Sequence, residues 1–442
     1  MNKREQILQL VSEYIKEKHA EKKWEAGKDW VQYSGPYFTD EEYVAAIGTL
    51  LNEWLVLGQD AIKFENQFPK LLGKEFGLLT NSGSSANLLM YRLAKMKVSN
   101  IIAPVAGFPT TINPAFQLGF KVMLIDIELN TLNLDLNQLE EAAKRSKMVS
   151  GRTALVFAHA LGNPPNMNAV MDIVKKYDLL LLEDCCDALG SAYDNKYLGS
   201  FGEMSTCSFY PAHHITMGEG GFVACNTLSD ERLLRSFRDW GRGCYCVGKE
   251  ANLLKNGTCK HRFNNWLPDL PTEIFDHKYV YEQIGYNLKP IELQASIGLM
   301  QMKKLPEIKW LRTNNYNSLM KVFSKYEEYF HLPLPTDKAD PSWFAFPLTV
   351  KNKAPFKRNE LCEFFEEQKI QTRPYFSGNI LLHPGYKMRF ATNPIKMYPV
   401  ATKVTIDTFF LGTSPVITKK MIDYIEVILE DFINWKVNDN IH

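Results

Sequence analysis

The sequence predicts an α/β fold, with a large and mostly parallel sheet followed by a smaller α+β C-terminal unit. Three observations carry the prediction. Short apolar runs recur from Phe76 onward, at residues 101–104, 122–125, 153–157 and 179–182. Uninterrupted apolar runs of that length read as buried parallel strands. Helical stretches separate them, which is the rhythm of strand–helix–strand units. Beyond a long helical pattern at 290–319 the rhythm stops. One further strand at 343–348 and two later helices then build the smaller unit.

Taken in order, residues 1–54 form an N-terminal helical segment. Ile7, Leu10, Val11, Tyr14 and Ile15 stand at helical spacing within residues 1–30, which predicts one amphipathic helix there. The stretch 40–72 reads as two more helices. Residues 55–290 form the large unit, interrupted at 244–286 by a polar, irregular excursion that reads as functional, not as a linker. Residues 291–442 supply the connecting helix and the small C-terminal domain. In parallel sheets ligands collect at the carboxyl ends of strands, where Asp126 and Asp184 both stand.

Bulk properties narrow the function. The 442 residues are 45% hydrophobic and 23% charged, with a net charge of +1. That balance, with scattered basic residues, excludes nucleic acid as a partner. No apolar run is long enough to span a bilayer. The first residues, Met1-Asn2-Lys3-Arg4-Glu5, lack the apolar core of a signal peptide. The expectation is a cytoplasmic protein whose eight cysteines are not structural disulfides.

Two stretches carry chemistry. Asn81-Ser82-Gly83-Ser84-Ser85-Ala86-Asn87 precedes a helix expected to begin near Leu88. Small residues, hydroxyls and free N–H groups at a helix start make a phosphate cradle, although such a stretch taken alone is also an ordinary turn. The second is Ser208-Phe209-Tyr210-Pro211-Ala212-His213-His214-Ile215-Thr216-Met217-Gly218-Glu219-Gly220-Gly221.

Together these motifs resemble the DegT/DnrJ/EryC1/StrS sugar aminotransferases across roughly residues 55–430. The resemblance implies the fold type I, aspartate aminotransferase-like fold of pyridoxal phosphate (PLP) enzymes. It implies Gly83, Ser84 and Ser208 as phosphate ligands, Asp184 as partner of the pyridine nitrogen, and Phe108 stacked on the ring. Asn287, in Gly285-Tyr286-Asn287-Leu288, matches an asparagine that reaches the phosphate of the neighbouring subunit, which implies a homodimer with shared active sites. Asp187 stands near the ring hydroxyl, where the family usually has glutamine. His213 stands where the family has its cofactor lysine. An imidazole moves protons but cannot hold an aldehyde as a stable Schiff base. The exchange therefore points from transamination to a dehydratase that uses pyridoxamine phosphate (PMP), with His213 as its base.

That exchange marks the 3-dehydratases of 4-keto-6-deoxy sugar nucleotides. One branch takes a GDP-sugar, regenerates PMP from glutamate and carries no metal. The other takes CDP-4-keto-6-deoxyglucose, on the route to 3,6-dideoxyhexoses, and carries a [2Fe–2S] cluster fed by an NADH-dependent flavin and iron–sulfur reductase. Cys186, Cys244 and Cys246 reproduce the first three cysteines of the second branch, with 57 intervening residues and then one. Cys259 follows after twelve more, a longer loop than that branch has. Extra loop length costs little. Four thiolates suit a [2Fe–2S] centre, whereas structural zinc sites pair cysteines at wider spacing. Arg242, Lys260, Arg262 and Lys278 on the excursion are candidates to meet a nucleotide diphosphate. Cys185, Cys207, Cys225 and Cys362 read as core residues. A cluster-free dehydratase, a true aminotransferase and a catalytically silent scaffold remain the alternatives.

Overall fold

The computed structural model describes residues 1–244, 259, 261–387 and 393–439. Ahead of the main sheet come α1 (Lys3–Glu21), α2 (Asp40–Leu50) and α3 (Gln59–Gln67). The central part runs β1 (Phe76–Thr80), α4 (Gly83–Ala94), β2 (Asn100–Pro104), α5 (Pro109–Gln117), β3 (Lys121–Ile125), α6 (Leu136–Ser146), β4 (Thr153–Ala158), α7 (Met167–Lys176) and β5 (Leu180–Asp184). It continues with β6 (Ala192–Tyr193), β7 (Lys196–Tyr197), β8 (Met204–Ser208), β9 (Gly221–Cys225), α8 (Leu228–Arg238), β10 (Phe263–Asn264) and β11 (Phe275–Asp276). After the long α9 (Glu292–Ser324) come β12 (Phe330–His331), β13 (Ala339–Asp340), β14 (Ala345–Val350), α10 (Arg358–Glu367) and β15 (Arg373–Pro374). The chain closes with α11 (Pro384–Lys387), α12 (Pro394–Met397), α13 (Pro399–Asp407), β16 (Thr408–Gly412) and α14 (Lys419–Asp439).

Seven strands form the main sheet in the order β1-β9-β8-β5-β4-β2-β3, and only β9 runs against the others. The fold is thus the mostly parallel α/β architecture that the apolar runs predict. On β4, Ala154 and Val156 enter one apolar cluster while Leu155 and Phe157 enter the other, so the sheet is buried on both faces. A third cluster around Phe323, Phe346, Phe409 and Phe432 covers the second sheet, ordered β12-β14-β16-β15.

Local chemistry sets the element ends. Asn2 and Glu5 form a capping box at the start of α1. The helix stops at Glu21, short of the 30 residues predicted, and Ile15 is its one buried residue. Ile7, Leu10 and Tyr14 are exposed, so the periodicity there does not mark a core face. Gly58 offers α3 no side-chain cap; Glu292, at the start of α9, accepts from the N–H groups of Gly58 and Asp60, both at 2.6 Å.

Three expectations need correction. The helix after β1 begins at Gly83, not near Leu88, because Ser82 caps it. The smaller unit holds four strands, three of only two or five residues, too short for a periodic signal, and more than two helices. Asp126 does end a strand, yet its carboxylate accepts from Val400 N–H at 2.9 Å and Ala401 N–H at 2.8 Å. It caps the first turn of α13 and is not a ligand-facing group.

Candidate active site

A cavity of about 530 Å³ opens at the carboxyl ends of β1, β5 and β8. Gly83, Ser84, Phe108, Asp184, Cys186, Asp187, Ser208 and His213 all contribute to its wall. Residues from four separate stretches of sequence therefore meet in one place.

The cradle is built first. Ser82 Oγ accepts from Ser85 N–H at 3.1 Å and starts α4 at Gly83. A Cβ on Gly83 would lie 2.5 Å from Cβ of Ser208, so glycine is needed for the end of β8 to approach the first turn of the helix. Ser84 Oγ donates to Thr110 Oγ1 at 3.1 Å. N–H groups of a first turn, with the positive end of the helix dipole, favour a phosphate.

Asp184 stands opposite, 3% exposed. Its Oδ2 accepts from Asn87 Nδ2 and Thr111 Oγ1, both at 2.8 Å, and its Oδ1 accepts from Cys186 N–H at 3.1 Å. Asn87 is held in turn by Thr206 Oγ1, which donates to Asn87 Oδ1 at 2.6 Å. These donors fix the direction of the carboxylate. Thr111 and Thr206 escape sequence reasoning because nothing local marks them. Asn87 closes the cradle stretch, and its place on the sheet-facing side of α4 was the one available signal.

His213 sits in the turn after β8, where its N–H donates to Tyr210 O at 3.0 Å. Its ring lies 5.3 Å from that of Phe344, and Nδ1 is 3.5 Å from Asp187 Oδ1. Burial lowers its pKa to about 4, with Asp184 pulling up and the Arg312 guanidinium pushing down. The imidazole is neutral near pH 7, as a general base must be. Burial, with Asp184 beside it, raises the Asp187 carboxyl well above its usual range, and Arg312 opposes the shift. His214 turns away from the cavity, with Nε2 2.8 Å from Ser342 O. Geometry therefore separates the two adjacent histidines.

Phe108 is 52% exposed and meets Phe376 edge-on at 5.9 Å. Asn287 does not line the cavity; its backbone bridges to Asp239. Nor do Cys244 and Cys259, and Cys246 lies outside the described residues. The described residues beside Cys244 and Cys259 nevertheless reach one turn. Gly243 N–H donates to Val280 O at 3.0 Å, and His277 N–H to Arg262 O at 2.7 Å. Arg262 N–H in turn donates to Cys259 O at 3.0 Å. Among the described residues, His159, Glu183 and Cys185 are the one group of three metal-ligating atoms within 4.8 Å. There Glu183 already accepts from Gly199 N–H at 2.9 Å and Gly202 N–H at 2.6 Å and meets His159 Nε2 at 3.0 Å, a closed structural network.

Of the basic residues on the excursion, Arg262 is paired with Asp276 at 2.7 Å and Arg242 stacks on Trp240 at 4.5 Å. Lys260 lies outside the described residues. Among the described residues, Arg373 is the one lysine or arginine in the cavity wall. It covers the Tyr33 ring at 4.4 Å and bonds the carbonyl of Thr372 at 2.7 Å, with no carboxylate within 4.0 Å of it in the described residues. No helix of the described residues is long and apolar enough to cross a membrane.

A glycine–serine helix start, a buried aspartate and a largely buried imidazole thus line one cavity in a fold type I, aspartate aminotransferase-like architecture. Residues 37–430 match the DegT/DnrJ/EryC1/StrS aminotransferase family, and the chain belongs to it. It is 39% identical over 441 residues to the lipopolysaccharide biosynthesis protein RfbH of Salmonella typhimurium, covering 98% of both chains. It is 37% identical to the dTDP-4-dehydro-2,6-dideoxy-D-glucose 3-dehydratase of Saccharopolyspora spinosa, covering 97% of this chain and 92% of that one. A solved structure of E. coli GDP-4-keto-6-deoxy-D-mannose-3-dehydratase with bound hydrated PLP superposes with a TM-score of 0.77 at 28% identity, covering 91% of this chain and 99% of the other.

Proposed function

We propose that this chain is a PMP-dependent 3-dehydratase of 4-keto-6-deoxy sugar nucleotides, acting on CDP-4-keto-6-deoxyglucose with electrons delivered through a [2Fe–2S] cluster. One observation carries the reading: a buried, neutral imidazole, His213, occupies the cavity position where the resemblance calls for a lysine. Two of the relatives named above are called 3-dehydratases, which supports it.

The residues present fit the cofactor. Gly83, Ser84 and Ser208 would take its phosphate, Asp184 its ring nitrogen, and Phe108 one ring face, with Asn287 of a second subunit completing the phosphate site. When bound, the protonated ring supplies an electron sink beside the sugar. Asp184, aimed by Asn87 and Thr111, keeps the ring nitrogen protonated. With the cofactor bound, His213 would take a proton from its C4′ carbon and pass it to the departing C3 hydroxyl, which leaves as water. The apolar wall of Phe344 and Phe376 excludes water. Arg373, without a carboxylate partner, would meet an anionic group of the substrate.

Cys186, in the cavity wall, with Cys244, Cys246 and Cys259 would hold the cluster, which would supply single electrons from an NADH-dependent reductase. Their spacing supports this, as does the shared 277–280 turn that bonds Gly243 and Arg262, beside Cys244 and Cys259. Iron and acid-labile sulfide in anaerobically purified protein test it. Two of each per chain are expected, and Cys259→Ser should lower both. Iron-free protein that also resists reconstitution sinks the cluster. The second reading would then hold, a cluster-free GDP-sugar dehydratase, favoured by the likeness to a solved GDP-4-keto-6-deoxymannose-3-dehydratase carrying a PLP–glutamate adduct. Conversion of the PLP form to PMP by glutamate would mark it.

A further inference from the structure

The peptide that carries His213 is fastened to the two chain segments that join the main sheet to the smaller one. The first is α9. Arg312, in its middle, is fully buried. Its Nη2 donates to Ala212 O and His213 O, both at 3.2 Å, while Nη1 donates to Phe344 O at 2.9 Å and Trp343 O at 3.3 Å. The second is the crossing segment 339–344. It leaves the main unit where β13 pairs with β6 and enters the smaller sheet as β14, which pairs with β16. Ser342 N–H donates to Ser191 Oγ at 2.8 Å and Phe344 N–H to Leu161 O at 2.9 Å, so the crossing is itself anchored on the main unit. His214 adds a further tie, through Nε2 to Ser342 O at 2.8 Å.

This arrangement is costly in isolation. A guanidinium is expensive to bury unless its donors find acceptors, and an apolar side chain would fill the same space without that cost. Here the planar fork reaches four carbonyls on two segments at once, two beside the base and two on the crossing. Only a forked, five-donor group spans both sets.

We propose that Arg312 and His214 are positioning residues that lock the His213 peptide to residues 342–344. The base then reaches its working position only when the two sheets stand in the arrangement seen here. The inference rests on His213 being the base.

The test uses full-length Arg312→Lys and His214→Leu. Lysine keeps the charge but cannot fork, and leucine has no donor for the tie to Ser342 O. For each variant, PMP affinity, thermal midpoint, KM, kcat per bound PMP, and backbone hydrogen exchange over residues 209–216 are measured. The expected result is PMP affinity and KM near wild type, kcat down by about 10- to 100-fold, and markedly faster exchange in that segment. A general loss of structure would instead lower the thermal midpoint and PMP occupancy while leaving kcat per bound PMP intact. Folded variants with wild-type kcat and unchanged exchange overturn the proposal. Should Arg312→Lys fail to fold, His214→Leu decides on the same readouts. Full activity of His213→Asn would sink the base assignment, and faster exchange would still report the lock.

Discussion

His213 Nδ1 lies 3.5 Å from Asp187 Oδ1 in the wall of one cavity. Burial and the neighbouring Asp184 hold the Asp187 carboxyl well above its usual range, so the group facing Nδ1 is an acid placed to orient the ring. Asp187→Gln should therefore cut kcat by about tenfold or more while PMP still binds. Steady-state kinetics alongside a PMP titration check this, and unchanged kcat would remove Asp187 from the proton transfer.

Gly83→Ala tests the cradle. The added methyl would crowd Ser208, whose Cβ lies 2.5 Å away, and would push apart two walls of the phosphate site. Overpacking of this kind costs about 1–3 kcal/mol. PMP affinity, read from cofactor absorbance, should fall by roughly 5- to 100-fold, since ~1.4 kcal/mol corresponds to a factor of ten. Wild-type affinity in the variant would place the phosphate elsewhere.

Acid should destabilise the protein earlier than its carboxylates alone would dictate. Burial lowers the pKa of His213 to about 4 and that of His214 well below its usual value. Unfolded histidines take up protons near pH ~6.5, while these two stay neutral in the fold. As pH falls below ~6.5 the unfolded state binds more protons, and stability drops by up to ~1.4 kcal/mol per pH unit for each group. The loss from His213 levels off below about pH 4. Urea midpoints at pH 7 and pH 5 measure the slope, and His214→Gln should flatten it. Equal slopes in both proteins would contradict the assignment.

Arg373 holds the cavity's unpaired positive charge in the described residues. A charge-assisted hydrogen bond contributes about 1.5–3 kcal/mol. Arg373→Ala should accordingly raise KM for the sugar nucleotide by roughly ten- to hundredfold while PMP affinity stays constant. A variant with unaltered KM would show that the substrate's anionic group binds another part of the protein.

Some of the site was legible because its signals are local. The Asn81–Asn87 stretch combines a capping serine with a glycine at the close approach, and the strand ending in Asp184 is a continuous apolar run. His213 was legible only against the motif around it. Thr111, Thr206 and Arg312 were not, because each acts through a contact across 73 to 119 residues of chain. Asp126 misled for the complementary reason. A carboxylate at a strand end looks the same whether it faces a ligand or caps a helix that arrives 275 residues later.

By itself, the sequence determined the layered α/β architecture and the glycine–serine helix start, properties of residue type and short-range order that periodicity and turn chemistry report directly. The roles expected of Asp184 and His213 came only from the resemblance of the motifs around them. Tertiary structure alone decided which of two adjacent histidines enters the cavity, which basic residue is left without a carboxylate, and how far burial lowers the base's pKa. These depend on desolvation and on the direction of single side chains. Both are set by elements distant in the chain that meet only when the sheets pack.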